Sequence, residues 1–228
     1  MMAKPVQMPL DLASAPTYAA ADFLVAESNR GAVSRLEHWV DWPDFAYALS
    51  GPDGSGKTHL AHLFAMRMNA QLIVARDLRA AAVPELAEAH GIVVEDGDRG
   101  VDDEALLHLF NLLRERERTL LLTGREPPAR WPVTLPDLKS RLATVPVVTI
   151  GAPDDALLVK LMVKLFSDRQ VRIGQEVPAY VLPRLERSFA AVRAAVETLD
   201  RAALAQGRPV TVPLAREVLN LSPDQLDE

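Results

Sequence analysis

Short apolar segments alternate with amphipathic helical segments between about residues 44 and 150. Strands that are buried on both faces read as such apolar segments, whereas the intervening helices repeat their apolar residues every three to four positions. The predicted strands are FAYALS, QLIV, GIVVE, TLLLT and PVVTI. This rhythm predicts an α/β fold, a parallel sheet covered by helices.

After Pro153 the strand pattern ends and helical periodicity continues, with Ser188 as an N-cap candidate and Gly207 after the longest helix. The first residues are rich in Pro, Ala and Met without helical periodicity, which predicts an extended tail. We therefore predict a tail at 1–17, an α/β domain at 18–151 and a small all-α domain at 152–228.

The strongest chemical signal is GPDGSGKT, a complete G-x-x-x-x-G-K-[ST] pattern placed between a predicted strand and a helix. In such a P-loop, backbone N–H groups face phosphate oxygens, Lys57 adds a positive charge and Thr58 offers a hydroxyl to Mg²⁺. A glycine-rich turn that only caps a helix is the alternative. The predicted nucleotide-contacting residues are Gly51, Pro52, Asp53, Gly54, Ser55, Gly56, Lys57, Thr58 and His59.

Polar residues end two neighbouring predicted strands. Glu95 and Asp96 follow an apolar segment, and with Thr58 they are the predicted Mg²⁺ residues. Thr123 ends the next strand, where a hydroxyl can sense the terminal phosphate. A solvated acidic turn and an ordinary strand-end threonine are the alternatives. His59 and His62 do not predict a metal site, because no third ligand is evident nearby.

Acidic residues at 102–104 precede a leucine-rich helix, so we interpret them as helix-capping residues. Arg141 ends a helical segment after the fourth strand, where it could project to a neighbouring molecule. Arg193 lies in the helical domain, from which it could reach the phosphates. Taken alone, each arginine fits a solvated surface position better.

Composition narrows the classes of function. The chain has 228 residues, 49% of them apolar, no cysteine and a net charge of −6. The acidic balance disfavours a general attraction to DNA, and the lack of cysteine excludes disulfides and thiolate zinc sites. No apolar segment is long enough to span a bilayer and none has the form of a signal peptide, so we expect a cytoplasmic protein.

From about Tyr18 to Asn220 the chain resembles the AAA+ ATPases, and among them the DnaA/Hda family of bacterial replication proteins. The matching segments are DFL with Asn29 after it, GPDGSGKTHLAH, LTGREPPARW, LKSRL and VRAAVETLDR. The resemblance implies ADP or ATP with Mg²⁺ as the cofactor, bound with help from Phe23, Leu24 and Arg193. It also implies that Arg141 is an arginine finger supplied in trans.

Only eight residues follow Asn220 in the sequence, too few for the DNA-binding domain of DnaA, so the resemblance narrows to the Hda branch. Proteins of that branch bind the β sliding clamp through a Q-x-x-L-x-L peptide, which Gln7, Leu10 and Leu12 match. The implied partners are the clamp and DnaA, with DNA reached only through the clamp. A homodimer or a higher homo-oligomer stays open.

The implied function is to stimulate hydrolysis of DnaA-bound ATP and so to prevent re-initiation of replication. Glu95 replaces the family's usual Asp, and Arg125, two residues after Thr123, replaces another. Both departures favour a nucleotide-dependent switch, with ADP as a suitable ligand, that has weak or no ATPase activity of its own. The alternatives are an ATPase of the helicase-loader type and a DnaA-like module that binds single-stranded DNA.

Overall fold

A computed structural model describes residues 24–219 of the chain. Its central sheet has five parallel strands in the order β2-β3-β4-β1-β5. The strands are Ala46–Ser50 (β1), Gln71–Val74 (β2), Gly91–Glu95 (β3), Thr119–Gly124 (β4) and Val147–Thr149 (β5). The parallel sheet predicted from the apolar segments is confirmed.

Helices cover both faces of this sheet, and four more helices follow it. The helices of the α/β part are Glu27–Glu37 (α1), Lys57–Met68 (α2), Val83–Leu86 (α3), Asp103–Glu115 (α4) and Pro136–Thr144 (α5). Those after the sheet are Asp155–Asp168 (α6), Glu176–Val181 (α7), Phe189–Gln206 (α8) and Val212–Leu219 (α9). No helix in residues 24–219 is long and apolar enough to cross a membrane.

Alternate residues of the central strands enter two different cores. Ile92 and Leu120 pack with α4 and α5 on one face of the sheet, whereas Val93 and Leu121 pack with α1 and α2 on the other. This alternation follows from the twofold period of a strand. Helices α6 to α9 have a separate apolar core centred on residues such as Phe166. The predicted fold class, a parallel-sheet core with a small helical lid, is confirmed.

The topology gathers three loops at one edge of the sheet. The carboxyl ends of β3, β4 and β1 lie side by side because the three strands are parallel neighbours. β1 lies between β4 and β5. The direction in which successive strands are added to the sheet therefore reverses beside the carboxyl end of β1. Ligands of open α/β sheets bind at such a switch point.

Candidate nucleotide-binding site

The P-loop connects β1 to α2 and depends on glycines in left-handed conformations. Gly54 has φ +69° and Gly56 has φ +99°, values that side-chain-bearing residues rarely adopt. The N–H of Gly51 donates to the carbonyl of Gly124 at 3.2 Å, which ties the loop to the end of β4. Helix α2 begins directly after the loop at Lys57. A glycine-rich loop at a helix N-terminus is suited to phosphate groups.

Lys57 is held at this loop by two carbonyl groups. Its side chain is 6% exposed, and Nζ donates to the carbonyl oxygens of Gly51 at 2.7 Å and Pro52 at 2.9 Å. Burial lowers the pKa of Lys57, while the nearby carboxylates of Asp53 and Asp96 oppose that shift. The ammonium group therefore lies at the P-loop itself, held by the carbonyl groups of that loop.

The structure brings together Thr58, Glu95 and Thr123. Glu95 ends β3 and is 6% exposed; burial raises the pKa of its carboxyl group, although a hydrogen bond from Thr58 opposes the shift. Its Oε1 atom has no hydrogen-bond partner among the described residues. The next residue, Asp96, has φ +56°, and its N–H donates to Thr123 Oγ1 at 3.2 Å.

These residues fit a magnesium ion that is held together with phosphate oxygens. Within residues 24–219, no group of three or more His, Cys, Asp or Glu side chains could hold a metal ion. Mg²⁺ needs fewer protein ligands than that, because it keeps several waters and takes one or two carboxylates with substrate phosphates. The unpartnered oxygen of buried Glu95 beside Thr58 fits this role.

The lid contacts the P-loop through the start of α8. The N–H of Phe189 donates to the carbonyl of Gly54 at 3.1 Å, and a Cβ on Gly54 would lie 2.5 Å from Cβ of Ser188. Arg193 is exposed and lies in the second turn of the same helix. Its position in α8 suits the predicted approach to the phosphates, but no described contact joins it to the P-loop.

Two further predicted residues have different surroundings. Leu24 packs against the apolar core of the lid, and its carbonyl accepts from Asn29 Nδ2 at 2.9 Å. Arg141 lies in α5 and forms an ion pair with Asp137, with Nε 3.2 Å from Oδ1. Phe23 and the predicted clamp-binding residues Gln7, Leu10 and Leu12 lie outside the described residues.

One group of charges at the site had not been predicted from the sequence. Asp53 of the P-loop pairs with Arg99, at 2.5 Å between Oδ1 and an Nη atom, and lies 4.0 Å from Arg125. Arg125 in turn donates from Nε to Asp98 Oδ2 at 3.1 Å. The sequence carried a partial signal, because Arg125 departs from the family pattern. The residues that pair in this group are 27 or more positions apart in the sequence. The order of the strands therefore brings them together.

Comparison with protein families gives a match in the helical part of the chain. The family model described as the lid domain of Hda matches residues 155–219, the segment that begins α6 and ends α9. A protein of Haemophilus influenzae described as uncharacterized is 30% identical over 188 residues, which cover 77% of this chain and 81% of that protein.

Solved structures share the fold of most of the chain. Domain III of the replication initiation protein DnaA from Thermotoga maritima has a TM-score of 0.76 at 20% identity, and the match covers 95% of this chain and 100% of that one. DnaA from Aquifex aeolicus, solved with AMPPCP bound, has a TM-score of 0.68 at 20% identity, with 85% of this chain and 68% of that one covered.

Proposed function

Because this chain belongs to the Hda/DnaA family of AAA+ proteins, we propose that it is a nucleotide-dependent regulator of the replication initiator DnaA. The observation that carries the proposal is the P-loop itself, with Lys57 held at the loop and the lid helix α8 in contact with Gly54. The AMPPCP bound to a DnaA of the same fold supports a nucleotide at this position.

In this proposal the P-loop, from Gly51 to Thr58 and on to His59, binds the phosphates of ADP or ATP. Glu95, Asp96 and Thr58 hold Mg²⁺, which neutralises phosphate charge when it is bound. Thr123 senses the terminal phosphate and Arg193 contacts the phosphates from the lid. Since Glu95 and Arg125 depart from the family's pattern, the chain hydrolyses ATP weakly or not at all.

The regulatory step is made by residues on two other parts of the chain. Gln7, Leu10 and Leu12 dock the protein on the β sliding clamp, because an extended peptide can fill apolar pockets in a groove. Arg141 is supplied in trans to the ATP bound by DnaA, where a guanidinium stabilises charge on the transferred phosphoryl group. The protein thereby returns DnaA to its ADP form in the cytoplasm, beside replicated DNA.

The deciding experiment measures hydrolysis of DnaA-bound ATP with this protein and DNA-loaded clamp. We expect stimulation by the wild type and its near-complete loss in Arg141→Ala, since arginine fingers contribute roughly 10³–10⁵-fold in rate. Arg130→Ala is the matched control, because Arg130 is an exposed arginine paired within its own segment with Glu126 at 3.2 Å.

Two results would contradict the proposal. Undiminished stimulation by Arg141→Ala removes the finger assignment. Rapid ATP turnover by the purified protein alone, insensitive to clamp and DnaA, favours an ATPase of the helicase-loader type instead.

A further inference from the structure

The side chain of Arg141 is held on α5 by a carboxylate one helical turn before it. Its Nε donates to Asp137 Oδ1 at 3.2 Å, and its Nη2 donates to Asp137 Oδ2 at 3.3 Å. Two parallel N–H groups of one guanidinium therefore meet both oxygens of one carboxylate. This fork-to-fork arrangement fixes the orientation of the guanidinium as well as its distance from the carboxylate.

Two other arginines between residues 24 and 219 pair with an acid four positions before them, and they allow a comparison. Arg130 pairs with Glu126, and Arg201 pairs with Glu197, each through a single hydrogen bond. Their side chains are 74% and 62% exposed, whereas that of Arg141 is 28% exposed. Exposed pairs of this kind restrict their side chains little. The guanidinium of Arg141 is therefore the most restricted of the three.

The helix that carries the pair is itself anchored in the fold. Leu138 and Leu142, the residues that directly follow the two members of the pair, are buried in the core of the α/β part. Thr144 Oγ1 donates to the carbonyl of Arg141 at 2.8 Å near the end of α5. Asp137 lies in the first turn of α5, where the N–H groups of the helix favour a negative charge. The backbone and the carboxylate that hold the guanidinium are both fixed.

The pair leaves most of the hydrogen-bonding capacity of Arg141 unused. A guanidinium has five N–H groups, and the fork uses one on Nε and one on Nη2. Among residues 24–219, the Arg141 side chain forms no hydrogen bond besides these two. The second N–H of Nη2 and both N–H groups of Nη1 therefore lie outside the pair. They can contact an anion from another molecule without breaking the contact with Asp137.

We propose that Asp137 is a positioning residue, which holds the Arg141 guanidinium so that its remaining N–H groups face the phosphate of ATP bound by a partner molecule. This inference rests on the proposed function, in which Arg141 acts in trans. Asp137 itself does not touch the nucleotide. Its carboxylate removes the need to order a long side chain when the partner docks, and preorganised groups lose less free energy on binding and reaction. This advantage exceeds the partial neutralisation of the arginine by the carboxylate.

The test measures single-turnover hydrolysis of DnaA-bound ATP with DNA-loaded clamp, at increasing concentrations of the full chain. Asp137→Asn keeps the size of the side chain but loses the charged fork. Its maximal rate should fall about tenfold, while the concentration that gives half of the maximal rate changes less than about threefold. Asp137→Glu keeps both carboxylate oxygens and should recover part of the loss. Glu197→Gln is the control, because it removes an exposed acid of the same spacing from Arg201.

A second measurement reports on the fork without DnaA. In the isotope-labelled full chain, the Nε–H resonance of Arg141 is identified by its loss in Arg141→Lys. Exchange of this proton with water should be slower in wild type than in Asp137→Asn, because the carboxylate that accepts it is removed. Urea unfolding of Asp137→Asn should give one cooperative transition close to that of wild type. Equal exchange rates in wild type and Asp137→Asn would show that the fork does not form in solution.

The outcomes distinguish this inference from the proposed function. If Arg141→Ala removes stimulation but Asp137→Asn reaches the maximal rate of wild type, the inference fails and the arginine finger stands. If Arg141→Ala stimulates as well as wild type, both fail. A further loss when Asp137→Asn is added to Arg141→Ala would also overturn the inference, because the carboxylate would then act apart from the arginine.

Discussion

Glu95 and Lys57 show what the site requires of single residues, since both carry charge at positions that are 6% exposed. Burial shifts both pKa values towards the neutral forms. Burying a charged side chain costs free energy of folding, and residues with such shifted pKa values concentrate at functional sites. For Glu95 the cost is not relieved by its histidine neighbour, because burial also lowers the pKa of His62, which lies 3.9 Å away.

In the absence of nucleotide and Mg²⁺, the substitution Glu95→Gln should therefore increase the free energy of unfolding. Because the pKa of Glu95 is raised, the folded state binds more protons than the unfolded state over a window of pH. This window begins near the ordinary pKa of 4.5 and ends at the raised pKa. Wild-type stability falls as pH rises through that window and stays reduced above it. We expect the variant to be more stable by about 1 kcal/mol at pH 7, with the difference shrinking as pH falls from the raised pKa to 4.5 and lost below 4.5.

Urea unfolding of both proteins at pH 7 and at about pH 4 measures this difference. Glu197→Gln is the control, because Glu197 is 62% exposed and pairs with Arg201 on the surface of α8. A Glu95→Gln variant that is less stable than wild type at pH 7 would show that the charged carboxylate stabilises the fold.

At the residue scale, the features that depend on short spacings along the sequence could be predicted. The P-loop positions and the acid at the end of β3 follow from short spacings, and their roles in nucleotide binding stay predictions; in the structure Lys57 Nζ donates to the carbonyl of Gly51. The pairing of Asp53 with Arg99 could not be predicted, because these residues are 46 positions apart. No single-sequence pattern specifies which loops the strand order brings together.

At the scale of elements, α8 links the lid to the nucleotide-binding loop. Ser188 caps this helix by accepting from the N–H of Ala191 at 3.1 Å, as predicted for an N-cap serine. Ser188 is also 3% exposed and lies against Gly54. One residue thus ends a loop, begins a helix and forms the contact between lid and P-loop.

Ser188→Ala should destabilise the protein by about 1 kcal/mol, because the first turn of α8 loses its side-chain acceptor. Hydrogen exchange at the N–H of Ala191 should become faster, since that group loses its partner. Ser188→Gly is the comparison, because glycine at an N-cap costs only a few tenths of a kcal/mol. Equal stability of Ser188→Ala and wild type in urea unfolding would mean that the contact with Gly54, not the cap, determines how α8 begins.

Element prediction succeeded for strands and long helices and was weaker for short ones. The helical periodicity predicted after Pro153 is not all α-helix, because α7 is followed by a 3₁₀ turn at Leu182–Arg184. Pro183 has no N–H to continue the α-helical hydrogen bonds. Helix α1 had not been predicted, because Gly31 interrupts the helical pattern of that segment. The start of α1 also depends on the side chain of Asn29, whose Oδ1 accepts from the N–H of Ala26 at 2.8 Å.

At the scale of the whole molecule, the charge balance bears on how the protein reaches DNA. A net charge of −6 gives no general attraction to a phosphate backbone. Under the proposed function, the clamp supplies the contact with DNA and the N-terminal peptide supplies the contact with the clamp. This division predicts that clamp binding and nucleotide binding can be changed separately.

Gln7→Ala and Leu10→Ala should each weaken capture of the chain by immobilised β clamp, because Leu10 fills an apolar pocket and Gln7 hydrogen-bonds at its rim in the proposed complex. Met8→Ala is the matched control, since Met8 lies in the same segment but outside the Q-x-x-L-x-L pattern. Lys57→Ala should leave clamp capture unchanged while it removes ADP binding. Capture that is undiminished in both Gln7→Ala and Leu10→Ala would reduce the peptide match to coincidence, and the regulator would then need another route to replicated DNA.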